Sequence, residues 1–166
     1  IYSGAVVQAL DAATGDLLWQ YLRVLAPEFD DGRAARVKTL ALYGERLFVP
    51  TTDGHMLALD YRTGKILWEQ EVITDEQRAT NGKAEGVALH LNGGPIVVKG
   101  KLIIGVSLGI ENSRGGCYIV ALDTTTGRAA RGVLVGLERV AAAGGRPLAE
   151  ATTGADGRVA DWLPGG

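Results

Sequence analysis

The sequence predicts an all-β fold: part of a β-propeller, about two to three four-stranded blades, followed by a further β-hairpin segment. Two observations carry this expectation. Glycine makes up 24 of the 166 residues, while proline numbers only 5 and aromatics 6%. That glycine share is about twice the usual ~7%, which suits turn-dense β structure better than a collagen-like or disordered chain. The second observation is a repeat. The word Ala-Leu-Asp, followed three residues later by Thr-Gly, occurs at Ala9-Leu10-Asp11, Ala58-Leu59-Asp60 and Ala121-Leu122-Asp123. Four residues past the glycine the first two copies place Trp19 and Trp68, whereas the third places Arg131. The aspartates are 49 and then 63 residues apart, close to the ~40–50 residues of a four-stranded blade, with an insertion in the second interval.

Each copy reads as two strands joined by a turn. Aspartate at the start of the turn accepts backbone N–H bonds, glycine supplies φ > 0, and the second strand carries the tryptophan. The first hairpin uses Val7 and Ala9 before the turn. Residues 40–42 and 46–50, the turn Asp53-Gly54 and the strand from Met56 complete a second blade. Residues 95–98, 101–106 and 117–122 supply most of a third, and the polar, glycine-interrupted stretch 74–92 reads as an inter-blade excursion. A tryptophan repeated at the same place in each unit is an architectural residue, docking one blade on the next and burying about 200 Å².

Seventeen Lys plus Arg against nineteen Asp plus Glu leave a net charge of −2 and no basic cluster, so nucleic acid is not an expected partner. No apolar run approaches the ~20 residues of a spanning helix. The lone Cys117 cannot form an internal disulfide. His55 and His90 have no partner at metal or triad spacing and read as surface or satisfied histidines. The sequence opens at Ile1 within a repeat, without a basic and apolar leader.

The stretches 6–19, 54–68 and Gly94-Pro95-Ile96-Val97-Val98, continuing through Gly105-x-Ser107 to Arg114-Gly115-Gly116-Cys117-Tyr118, resemble the pyrroloquinoline quinone (PQQ) dehydrogenases. That family of eight-bladed propellers oxidises alcohols or sugars. The resemblance implies PQQ and Ca²⁺ as cofactors, an alcohol or sugar as substrate, a cytochrome or quinone as electron acceptor and a periplasmic location. It implies that Ser107, Arg114 and Gly115 bind the quinone, and that Glu111 is the metal-ligating carboxylate. Val106-Ser107 stands where many alcohol-oxidising members carry two adjacent cysteines. The family's catalytic aspartate belongs to later blades.

After Gly127 no lysine occurs and Ala, Gly and Arg dominate. Residues 122–166, with Leu137-Glu138-Arg139, Pro147-Leu148-Ala149 and Gly154-Ala155-Asp156-Gly157-Arg158, resemble the N-terminal part of 5-hydroxyisourate hydrolase, a transthyretin-like β-sandwich enzyme. Residues 132–139 and 146–153 then form a hairpin, with a turn at 155–157. Of that family's catalytic set only Arg158 sits at a matching position. The expected organisation is propeller blades over 1–123 and a partial transthyretin-like segment over 124–166, joined at the word Leu122-Asp123-Thr124-Thr125-Thr126-Gly127 that fits both. A non-enzymatic propeller scaffold is the third functional alternative.

Overall fold

The computed structural model describes residues 6–26, 29, 39–81, 89–91, 93–108, 118–138 and 147–159. Strands β1 (Val6–Leu10) and β2 (Leu17–Leu22) pair as a two-stranded sheet. The second blade is complete and ordered as in the chain: β3 (Ala41–Tyr43), β4 (Arg46–Pro50), β5 (His55–Asp60) and β6 (Ile66–Glu71). A short helix, α1 (Asp75–Asn81), and β7 (Leu89–His90) lead to the third sheet. There β8 (Ile96–Val98) and β7 pair with different stretches of β9 (Lys101–Leu108), and β9 pairs with β10 (Tyr118–Asp123). β11 (Leu134–Glu138) and β12 (Pro147–Thr152) form a separate hairpin, and β13 (Arg158–Val159) returns to the far edge of β10.

The second blade is buried on both faces, so its inner strands read as unbroken apolar runs rather than as an alternation. Val49, Leu57 and Leu59 face the first blade and pack with Val7, Trp19 and Tyr21. Phe48, Met56, Ala58 and Trp68 face the third, where Leu102, Ile104, Val106, Tyr118, Val120 and Leu122 meet them. The pleat alone makes this division, since successive side chains point to opposite faces.

The repeated word builds the same turn three times. Asp11 Oδ1 accepts the N–H groups of Ala13 and Thr14, Asp60 Oδ1 those of Arg62 and Thr63, and Asp123 Oδ1 those of Thr125 and Thr126. In each, the glycine N–H donates back to the aspartate carbonyl. The Thr63 hydroxyl, with these backbone N–H groups, holds the Asp60 carboxyl below its ordinary range, and the N–H groups of Thr14 and Ala13 do the same for Asp11. For Asp123 the Lys101 ammonium adds to the turn's hydrogen bonds and brings the value to about 2.

The glycines serve a second purpose, as seats for tryptophan. Trp19 lies on Gly64 and donates its indole N–H to the Tyr61 carbonyl at 2.9 Å. Trp68 lies on Gly127 and donates to the Thr124 carbonyl at 3.1 Å. A Cβ would stand 2.5 Å from the Trp19 ring at Gly64 and 2.7 Å from the Trp68 ring at Gly127, and both positions have φ above +70°. The docking role expected of the two tryptophans is what the structure shows.

The outer strand of the third blade differs from the other two. It begins as in the second blade, with Leu122 bridging Ala129 as Leu59 pairs with Ile66. Ala130 then donates to the Ala121 carbonyl at 2.8 Å, and at Arg131, where the tryptophan stands in the other copies, the chain leaves the sheet. The β11–β12 hairpin intervenes, its neck clamped by buried Thr153. The Thr153 hydroxyl donates to the Ala130 carbonyl at 2.6 Å and accepts the Val133 N–H at 2.8 Å. The chain re-enters the sheet at Gly157, whose carbonyl accepts the Ala121 N–H at 2.8 Å, and β13 continues the pairing. Ala9 and Ala58 pair with Trp19 and Trp68; their counterpart Ala121 faces Gly157. A Cβ at Gly157 would lie 2.5 Å from the Ala121 carbonyl oxygen, so nothing larger than glycine fits there. The expected hairpin is present, and residues past 123 supply the third blade's outer edge.

Candidate functional site

In an antiparallel blade, alternate connections lie at the same end. The tryptophan seats occupy one end of the blades; the turn 51–54, the end of β9 and the start of β10 occupy the other. Ser107 lies in β9 with its backbone paired to His90. Its side chain, and Glu111, Arg114, Gly115 and Cys117, lie outside the described residues. The connection leaves β9 after Leu108 and re-enters the sheet at Tyr118, paired with Val106.

Tyr118 is tied firmly at that re-entry point. Its hydroxyl donates to the Val72 carbonyl at 3.0 Å and contacts Gln77 Oε1 at 3.2 Å. Arg158 of β13 stacks over its ring at 5.1 Å and donates to the same Val72 carbonyl at 3.2 Å. Burial raises the Tyr118 hydroxyl above the usual tyrosine range, so it stays a neutral donor. Gln77 is itself held by a capping box: Thr74 N–H donates to its side-chain oxygen at 2.8 Å, and Thr74 Oγ1 accepts the Gln77 N–H at 3.3 Å. Arg78, one residue further along α1, donates to the carbonyls of Asp53 and Ile73. Blade two, α1, β10 and β13 therefore meet in one hydrogen-bonded junction at the start of β10.

A second cluster sits at the same end, between blades one and two. Arg23, just past β2, reaches Asp53 in the turn 51–54 and Glu69 on β6, with its Nη2 at 2.7 Å and 2.8 Å from the two carboxylates. Arg23 Nε also donates to Asp53 Oδ2 at 2.8 Å, which makes the contact two-pronged. His55 completes the group, with Nδ1 at 3.4 Å from Asp53 and Nε2 at 3.8 Å from Glu69. Burial opposes ionisation of Asp53, but His55, Arg23 and the Thr51 hydroxyl outweigh it and hold the carboxyl far below its usual range. Asp53 in turn raises His55 above the ordinary imidazole value. Both His55 ring nitrogens face carboxylates, and the buried Nδ1 makes no hydrogen bond. The side chain of His90 lies outside the described residues. Among the described residues no group of three or more His, Cys, Asp or Glu side chains is arranged to hold a metal ion, and no helix is long and apolar enough to cross a membrane.

Comparison with known proteins agrees with this architecture. A PQQ-type repeat model, described as outer membrane protein assembly factor BamB, matches residues 2–152. The chain belongs to that PQQ-repeat family. Among curated relatives it is 35% identical over 135 residues to the quinohemoprotein alcohol dehydrogenase ADH IIB of Pseudomonas putida, a match covering 75% of this chain and 16% of that protein. It is 32% identical over 123 residues to the 1-butanol dehydrogenase (cytochrome c) of Thauera butanivorans, covering 73% and 16% respectively. Among solved structures, a europium-containing methanol dehydrogenase superposes with a TM-score of 0.58 at 32% identity, over 74% of this chain and 20% of that one. The quinohemoprotein alcohol dehydrogenase of Comamonas testosteroni gives 0.56 at 32%, over 75% and 17%. The chain spans about a sixth of the length of these curated relatives.

The PQQ-repeat match runs through residue 152 and so takes in most of the stretch that resembles 5-hydroxyisourate hydrolase. That transthyretin-like resemblance finds no support and is corrected. Its motif residues have another physical use: Gly157 and Arg158 close the edge of β10, and Arg158 braces Tyr118. Sequence reasoning missed the two inter-blade clusters. Only the Thr74-x-x-Gln77 capping word and the nearness of Asp53 to His55 hinted at them.

Proposed function

We propose that the chain is part of a PQQ-dependent dehydrogenase that oxidises an alcohol or sugar, and that it contributes the blade connection facing the quinone. The observation that carries this reading is the 35% identity over 135 residues to a quinohemoprotein alcohol dehydrogenase. The donor set of the 109–117 connection and its neighbour fits the cofactor chemically. A guanidinium from Arg114, the Ser107 hydroxyl and close backbone approach at Gly115 suit a tricarboxylate anion. The Glu111 carboxylate suits a hard cation such as Ca²⁺. In this reading Ser107, Arg114 and Gly115 hold the quinone and Glu111 ligates the metal. PQQ, when bound, supplies the hydride acceptor. The residues of the described junction orient the connection: Tyr118 fixes its exit, and Gln77, Val72 and Arg158 fix Tyr118. A cytochrome or quinone takes the electrons, and the location is periplasmic.

A specific observation favours a second reading. The matching family model is described as an assembly factor rather than a dehydrogenase, and a propeller segment of that kind serves as a binding scaffold. Titration of the chain with PQQ in the presence of Ca²⁺, followed by tryptophan fluorescence, separates the two. The dehydrogenase reading expects saturable quenching that weakens in Arg114→Ala. Absence of quenching at high micromolar PQQ favours the scaffold.

A further inference from the structure

The Arg23, Asp53, His55 and Glu69 cluster is unbalanced as long as His55 is neutral, since one guanidinium is then shared between two carboxylates. We propose that His55 makes the joint between the first two blades pH-sensitive: proton uptake on its ring completes an alternating ring of two cations and two anions and so balances the charge of the cluster that finishes this end of the joint. The geometry supplies the site for that proton. Nδ1 is buried 3.4 Å from Asp53 Oδ2 without a hydrogen bond, and Nε2 lies 3.8 Å from Glu69 Oε1, so each ring nitrogen has a carboxylate to face when the ring is charged. The His55 side chain is about 25% exposed at this edge, so protons reach it, while Arg23 and Asp53 are nearly covered, at 12% and 13%.

The groups around His55 come from several elements. Asp53 and Thr51 approach from the turn 51–54, and Glu69 from β6, where Glu71 lies directly across the ladder from His55. Arg23 opposes the imidazolium charge from the end of β2, with Tyr21 beside it, and Arg78 of α1 binds the Asp53 carbonyl rather than its carboxylate. The anions outnumber the cations, and the raised imidazole value agrees with that balance. The sign follows. A histidine whose folded value lies above its unfolded one adds stability at pH below ordinary imidazole titration and loses it as pH rises through the folded value. Asp53 remains ionised throughout this window because its carboxyl is held far below 3.8.

The test is the melting temperature of the full chain between pH 8 and pH 5.5, with His55→Gln and Glu69→Gln beside the native protein. The native chain is expected to gain a few degrees on acidification, His55→Gln to lose that gain, and Glu69→Gln to reduce it. Equal pH slopes in all three overturn the proposal. Should His55→Gln fail to fold, ring NMR of the native chain decides, with His90→Gln assigning the two histidines. A His55 titration midpoint above 6.5 supports the latch, and one at or below 6.5 overturns it.

Discussion

The first and second inter-blade joints share one device and differ in everything around it. At both, an indole from an outer strand lies on a positive-φ glycine and donates to a carbonyl in the neighbouring turn. Around Trp19 the apolar contact is small, made chiefly of Val7, Val49, Leu57 and Leu59, and an ionic cluster finishes the far end. Around Trp68 the apolar cluster is much larger, the ring meets Phe48 at 5.7 Å, and the far end is finished by neutral hydrogen bonds and a stacked arginine. The docking word sets how blades meet, and the remaining surface is free to be sealed by oil or by charge.

The largest expected effect on this contrast comes from the indoles. Trp68→Ala removes a ring from the larger cluster and should cost about 3 kcal/mol, against about 2 kcal/mol for Trp19→Ala, both partly buried. Denaturant melts that rank the two in the opposite order would break the distinction. Next come the seats. Gly127→Ala should cost about 2 kcal/mol, because the methyl strikes the Trp68 ring and φ is +72°. Gly15→Ala, with a φ of +80° but nothing within 4 Å, should cost only about 1 kcal/mol. Equal losses would show that backbone strain, and not indole contact, sets the requirement for glycine. The smallest effect is shared by the joints. Lowered carboxyl values at Asp11, Asp60 and Asp123 mean that the turns are most stable above the unfolded aspartate value of 3.8 and lose that support as pH falls toward about 2. An acid titration of the native chain and an Asp60→Asn variant should converge at the low end; parallel curves would remove the turns from the acid response.

Much of the fold was legible because the repeat writes its own geometry. Asp, Thr-Gly and Trp fall at fixed offsets, and each residue type is demanded by the turn or the seat it builds. The outer strand of the third blade was not legible. Its period breaks at Arg131, and nothing local marks Gly157 as the residue that resumes the sheet, since that role depends on a carbonyl of Ala121 far back in the chain. The α1 helix was overlooked inside a polar stretch, although Thr74 and Gln77 carry a capping signature. The ionic cluster was hidden for a plainer reason: Arg23 lies 30 residues from Asp53 and 46 from Glu69, and only blade docking makes them neighbours. Of the predicted quinone ligands, only Ser107 falls among the described residues, through its backbone in β9.

The interrupted outer strand shows that a sheet's continuity belongs to its hydrogen bonds and not to its covalent thread. Ala130 and Gly157 stand beside the same alanine although the thread between them runs out through a hairpin and back. Because closing a flexible excursion costs only about 0.6 kcal/mol more for each doubling of its length, this point on the third blade is where the protein can lengthen or exchange sequence with least disturbance to the layers beneath. The Thr153 clamp makes the outcome insensitive to what lies beyond it, so the blade edge is insulated from its own appendage.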